Sequence, residues 1–231
     1  MKWVLCLIVL MASVANAQQI YLEGNIKSIY ASTNLLFERG DTSIDFSKTF
    51  DGTKILSELS LSSFISDSIA ITYTGLYRTA GTIDKGLIGK FLIGGEEIKD
   101  PTSLNSSVIY NSLQFEWFYQ IPFIRPVVRV EQVRINIGLG GKGFDVGESY
   151  NAVLGGIGVQ GTQFFDRGSL TGQATYLAGG GATGYDVEAD FKYYFPRLST
   201  YLGVGYKTKY VQIDSIRFDV KGPYFEIGVI F

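Results

Sequence analysis

The chain has 231 residues, with 20 lysines and arginines against 22 aspartates and glutamates. That slightly acidic balance gives no electrostatic footprint for nucleic acid. With 28 glycines, 16 phenylalanines, 15 tyrosines, 5 prolines and no histidine, the composition favours a single glycine- and aromatic-rich β architecture. It excludes nucleophile systems and metal sites built on histidine.

The first residues have the make-up of an export signal. Lys2 precedes a short apolar core, 4–12, and Ala15-Asn16-Ala17 matches a small-x-small cleavage pattern. Residues 1–17 are therefore expected to be removed, leaving 18–231 as one domain. The apolar run is far short of the ~20 residues of a spanning helix. Cys6, the one cysteine, lies ahead of the cut, and a lipoprotein would need it where Gln18 stands. The mature chain then has no thiol chemistry and no cofactor signature. Without a second long apolar run it could cross a membrane only as a closed barrel, because lipid does not tolerate open sheet edges.

About ten strands follow. The first lies within 20–38, where the apolar parity changes between Ile26 and Ile29, which suggests a bulge or a later start. A polar loop, 39–54, leads to a strand at 55–64 with Leu59 and Leu61 opposite Glu58, Ser60 and Ser62. After a turn at Ser66-Asp67 comes 68–80. The segment 81–107 shows no clear alternation. It contains an apolar stretch, 86–98, that could extend strands, plug the mouth or bind a partner; its glycines have the wrong spacing for a nucleotide loop. Strand 108–121 alternates Leu113, Phe115 and Trp117 with Ser112, Gln114 and Glu116. Pro122 and Pro126 bracket the next turn.

The fifth strand, from Val127, changes parity near Glu131-Gln132, so a bulge is expected there. A loop at 141–149 and strands at 150–165 and 169–179 lead to the clearest pattern in the chain. Over 185–195 apolar Tyr185, Val187, Ala189, Phe191, Tyr193 and Phe195 alternate with Asp186, Glu188, Asp190, Lys192 and Tyr194. After Pro196-Arg197 the alternation resumes to Tyr210. Side chains alternate between faces of a strand, so this is a hairpin with one apolar and one charged face. If the turn fixes the register, Asp186 faces Lys207. A polar loop is expected over 211–221 and a last strand over 222–231.

Short connections after even strands and mostly long ones after odd strands are the pattern of an outer-membrane barrel. Eight strands is the alternative to ten. An interface girdle is expected from Tyr77, Trp117, Tyr119, Tyr193, Phe195, Tyr206, Tyr210 and Phe231. The lumen would carry a charge network of Glu58, Arg78, Glu116, Arg134, Asp186, Glu188, Asp190, Lys192, Lys207, Lys209 and Glu226. A barrel this narrow is filled by its side chains, and buried charges persist only when paired.

The ending 224–231, YFEIGVIF, has apolar residues at alternate positions before a terminal Phe231. It resembles the C-terminal signature of bacterial outer-membrane β-barrel proteins. That resemblance implies an integral protein of the outer membrane, lipid as its surroundings, and recognition of the strand ending at Phe231 by the barrel-assembly machinery. External loops would be open to an extracellular partner. Barrel proteases of the omptin type and lipid A deacylase barrels use histidine, so this chain departs from both where their chemistry happens. The carboxylates read as structural charges rather than a catalytic pair, and no enzyme is expected. The main expectation is a structural or surface-interaction barrel with a filled lumen. Its rivals are a narrow channel for ions or small solutes and a secreted, lipocalin-like binding barrel with Val187, Phe191 and Leu202 inside.

Overall fold

The computed structural model describes residues 21–40, 42–47, 55–66, 69–79, 83–84, 91–93, 96–98, 103–117, 124–141 and 144–231. The signal segment lies outside them, as do the side chains of Tyr77, Arg78 and Tyr119. Strands β1 (Tyr21–Tyr30), β4 (Ile55–Ser66), β5 (Ile69–Thr79), β9 (Ser103–Trp117) and β10 (Ile124–Gly141) are followed by β11 (Phe144–Phe164), β12 (Gly168–Gly179), β13 (Ala182–Phe195), β14 (Thr200–Ile213) and β15 (Ile216–Ile230). Each pairs antiparallel with its neighbour in that order, and β15 pairs with β1. The result is a closed, ten-stranded, antiparallel barrel. At the seam, Phe231 and Leu22 exchange backbone hydrogen bonds at 2.8 and 3.2 Å, so the last residue of the chain closes the ring.

Shorter elements sit at the hairpin end. β2 (Ser32–Arg39) continues β1 and pairs with both β15 and β3 (Thr42–Asp45). β6 (Ile83–Asp84) adds to β9. β7 (Phe91–Ile93) and β8 (Glu96–Ile98) form a separate small hairpin within the apolar stretch 86–98.

Outward side chains alternate with inward ones, and every barrel strand has an outward stretch of apolar residues. Ile26, Leu59, Ile69, Phe115, Val128, Ile157, Tyr176, Val187, Val204 and Ile227 are all exposed, one from each of the ten strands. An apolar belt this continuous cannot face water and is the lipid-facing band of a membrane barrel. The lipocalin-like alternative is overturned here: Val187, Phe191 and Leu202, which it needs inside, are 44, 43 and 38 % exposed on the outer wall.

Three expectations are corrected, for one reason. β10 has no bulge; its pairing with β9 and β11 runs without a shift from Val127 to Gly140. The inside of β10 instead changes character, from Arg129 and Glu131 to Val133, Ile135, Ile137 and Leu139, all buried. The outside changes the other way, from Val128 and Val130 to Gln132 and Arg134. The parity change marks the level where the wall leaves lipid and becomes an ordinary sheet with water outside and an apolar core inside. The described residues of 141–149 (141 and 144–149) and all of 211–221 likewise belong to the ends of long hairpins, not to loops. β14 and β15 meet at the two-residue turn Asp214-Ser215, with Asp214 at φ 47°.

The parity change in the first strand has the same origin. β1 and β2 keep one register against β15, since Ile29 faces Tyr224 and Ser32 faces Lys221. The ladder lapses only opposite Gly222-Pro223, where proline has no N–H to give. Above that level the inward residues of β2, β3, β10, β14 and β15 form a core that includes Leu35, Phe37, Ile44, Ile135, Ile213 and Phe218.

Turn chemistry positions the β13 face. Gly179, Gly180 and Gly181 have φ of 142, 59 and 77°, conformations open to glycine alone without strain. At the other end of β13, Pro196–Leu198 forms a 3-10 turn and Ser199 is left-handed. This four-residue link makes Phe195 pair with Thr200 and places Asp186 opposite Lys209 and Glu188 opposite Lys207. The expected Asp186–Lys207 register is thus wrong by two residues, because the turn is longer than Pro196-Arg197.

Candidate functional site: the charged lumen

The lower half of the barrel interior is polar, and its charged residues come from seven strands. Asp186 is the centre of one cluster. Its Oδ2 accepts from Arg129 Nη1 at 2.6 Å and lies 3.4 Å from Lys209 Nζ and 3.8 Å from Lys207 Nζ. Lys209 also meets Glu131 at 2.7 Å. Lys207 meets Glu58 at 2.8 Å, and Tyr110 donates its hydroxyl to the same Glu58. Arg129 spends its remaining N–H groups on Gln114 Oε1, at 2.6 and 3.0 Å. A guanidinium suits this place because its planar fork satisfies several acceptors without losing its charge.

A second cluster lies toward the chain termini. Lys27 pairs with Glu188 and lies 4.0 Å from Glu226. Lys192 reaches Glu23 at 3.3 Å and Glu226 at 3.4 Å. Tyr224 donates to Glu188 at 2.7 Å, and Tyr201 donates to Glu23. Lys207, 3.5 Å from Glu188, joins the two clusters. Arg125 and Glu116 form a further pair at 3.7 Å. Four ammonium groups also stand over phenol rings: Lys209 over Tyr110 at 4.4 Å, Lys192 over Tyr201 at 4.6 Å, Lys27 over Tyr224 at 5.0 Å and Lys207 over Tyr110 at 5.9 Å. Such contacts gain when desolvated.

Glycines make room for these long side chains. A Cβ at Gly203 would meet Glu226 at 2.5 Å, one at Gly205 would meet the Tyr224 ring at 2.4 Å, and one at Gly228 would meet the Tyr201 ring at 2.2 Å. What space remains is a cavity of about 130 Å³ lined by Lys27, Glu58, Asp186, Glu188, Asp190 and Lys192 among others. Asp190 Oδ1 is buried there without a hydrogen-bond partner among the described residues.

Of the charges expected in the lumen, Glu58, Glu116, Asp186, Glu188, Asp190, Lys192, Lys207, Lys209 and Glu226 all point inward and are buried or nearly so. Arg134 does not. It is exposed on the outer wall and bonds to Asn151, because its strand has no bulge to turn it inward. Arg78 falls outside the described side chains. Glu23, Lys27, Arg129 and Glu131 are absent from the expected lumen set; the alternation of Val128 and Val130 with Arg129 and Glu131 carries the signal for the last two, while the parity change in β1 leaves none that is clear for Glu23 and Lys27. Of the girdle set, Trp117, Tyr193, Phe195, Tyr206 and Phe231 are exposed on the outer surface. Tyr210 is half-buried and stacks on Tyr185 at 5.5 Å.

No protein-family model matches the chain, and no curated protein matches it. Solved structures do. The outer membrane protease OmpT of Escherichia coli superposes with a TM-score of 0.51 at 11 % identity, over 92 % of this chain and 96 % of that one. A major outer membrane protein from Thermus thermophilus gives 0.42 at 10 % identity, over 93 and 100 %. Ail, the attachment invasion locus protein of Yersinia pestis, gives 0.39 at 11 %, over 90 and 98 %. The OmpT likeness, at that identity, shows the fold alone. Together with the apolar belt it gives the chain the fold of a small outer-membrane β-barrel, with a buried charge network in its interior.

Proposed function

We propose that this outer-membrane β-barrel is a sealed structural element that presents a rigid platform at the cell surface. The observation that carries the reading is the two-level filling of its lumen. Paired charges pack the membrane-embedded half, and an apolar core closes the half above it. Among the paired charges lies a small cavity of about 130 Å³. The long β10–β11 and β14–β15 hairpins continue past the belt with a packed interior, which suits them to present a fixed surface. In this reading the lumen carboxylates are structural charges without a catalytic role. Residues 1–17 direct export and are removed after Ala17, and the assembly machinery takes hold of the strand ending at Phe231.

Planar-bilayer recording of the refolded chain tests the seal. Current is expected to stay at background; discrete conductance steps would overturn the reading in favour of a narrow channel. Display is tested separately in intact cells. Cys6 is the one cysteine in the sequence, so Arg217→Cys, on the exposed face of the β14–β15 hairpin, should react with a membrane-impermeant maleimide. Labelling only after cell lysis would invert the orientation.

A further inference from the structure

Just above the apolar belt, the outer wall of β9, β10 and β11 carries a chain of polar side chains joined to each other. Asn136 donates to Ser107 at 2.9 Å, Ser149 donates to Asn136 at 2.8 Å, and Asn151 donates to Ser149 at 3.3 Å. Arg134 ends the chain, its Nε donating to Asn151 Oδ1 at 2.7 Å. That bond fixes the plane of the guanidinium. Its two terminal amino groups have no acceptor among the described residues. Gln132 and Asn111 border Arg134 in a shallow groove of about 140 Å³.

This cation differs from the other described cations of the upper surface. Arg217 pairs with Glu38 at 3.2 Å and Arg39 with Glu148 at 3.5 Å, and Lys221 shares its face with Asp219. Around Arg134 the described outward neighbours are neutral amides, hydroxyls, Ile109 and, on the lipid side, Val153. Its height is also specific. Arg134 is four residues beyond Val130, the last apolar outward residue of β10, or about 13 Å along a tilted strand. That is the headgroup layer, above acyl chains that would lie on Val128, Val130 and Ile157. A forked cation with free N–H groups suits a phosphate, and a ring of amides and hydroxyls suits sugar hydroxyls.

We infer that the outer wall around Arg134 binds the phosphorylated sugar headgroup of an outer-leaflet glycolipid. The inference rests on the outer-membrane reading with the long hairpins outward.

The test is native mass spectrometry of the full chain refolded in detergent and offered defined lipids. The probes are bis-phosphorylated lipid A, its dephosphorylated form and phosphatidylglycerol. Wild type should retain phosphorylated lipid A at least tenfold better than Arg134→Ala, with Arg134→Lys in between because it keeps charge but loses the fork. Arg217→Ala, whose cation is already paired, should behave as wild type. Dephosphorylation should lower wild-type retention to the Arg134→Ala level, an arm that needs no variant to fold. Equal retention by wild type and Arg134→Ala, or of the two lipid A forms by wild type, overturns the site. Phosphatidylglycerol held as strongly as lipid A overturns the sugar assignment. A chain that fails to fold as a barrel loses its heat-modifiable gel shift and all lipids alike, which separates failure of the outer-membrane reading from failure of the site.

Discussion

Below the level of Val130 and Val153 the barrel wall is apolar outside and largely polar inside; above it the wall is polar outside and apolar inside. The backbone is the same continuous ladder throughout. What changes is the solvent on the outer side. In lipid, the lumen is the one place for long charged side chains, and they persist there by pairing. In water, the sheet reverts to the ordinary arrangement with its hydrophobic residues inside. The two halves therefore have different stabilising interactions, and substitutions can tell them apart.

The largest effect is expected in the lower half. Asp186→Ala would leave Arg129, Lys207 and Lys209 facing one another with their shared carboxylate gone. Removing one partner of a buried ion network costs about 3–5 kcal/mol. Denaturant unfolding of the refolded barrel in lipid should show that loss. An effect below about 1 kcal/mol would mean that water reaches the lumen and screens the remaining charges. Replacing Asp186 and Arg129 together should recover part of the loss, since neither is then left alone.

A somewhat smaller effect belongs to the upper half. Ile135 is fully buried among apolar neighbours. Ile135→Ala should cost about 2–4 kcal/mol through lost transfer energy and the cavity left behind. Its behaviour should be that of a soluble core: the same loss is expected in detergent and in lipid. A strong dependence on bilayer thickness would place Ile135 in the membrane and break the comparison.

Much of this architecture can be read from alternation. The belt, the short turns at one end and the closing strand at Phe231 are legible because every second residue meets lipid. The inward row from Asp186 to Lys192 and the inward Lys207 and Lys209 are legible for the same reason; the register that pairs them is set by the length of the 196–199 turn and is not. What sequence reading misses lies where the alternation inverts. The change of parity at Glu131-Gln132 is visible, but a bulge explains it as well as a change of solvent does, and a bulge wrongly puts Arg134 into the lumen beside Arg129. Pairing without a shift decides between them. The polar runs 141–149 and 211–221 look like loops because a membrane pattern expects apolar residues on the outer face, and theirs is polar. Val211, Ile213, Ile216, Phe218 and Val220 are all buried on the inner face of the second run. Lumen partners such as Glu58 and Lys207 are 149 residues apart, a distance at which no local signal pairs them.

The smallest predicted effects locate the boundary itself. Val128 and Gln132 are both exposed on the outer wall of β10, two alternations apart. Val128→Lys puts an ammonium group into hydrocarbon, which costs about 2 kcal/mol at that depth in a barrel wall. Gln132→Lys puts the same group at the surface, where substitutions stay within about 0.5 kcal/mol. Both changes put the same ammonium group on one strand face, flanked by Phe115 and Ile157 at Val128 and by Asn111 and Val153 at Gln132. The contrast should appear when both variants are unfolded from lipid vesicles. If both changes cost the same, the switch from apolar to polar on this strand does not mark the edge of the bilayer, and the glycolipid site at Arg134 loses its height.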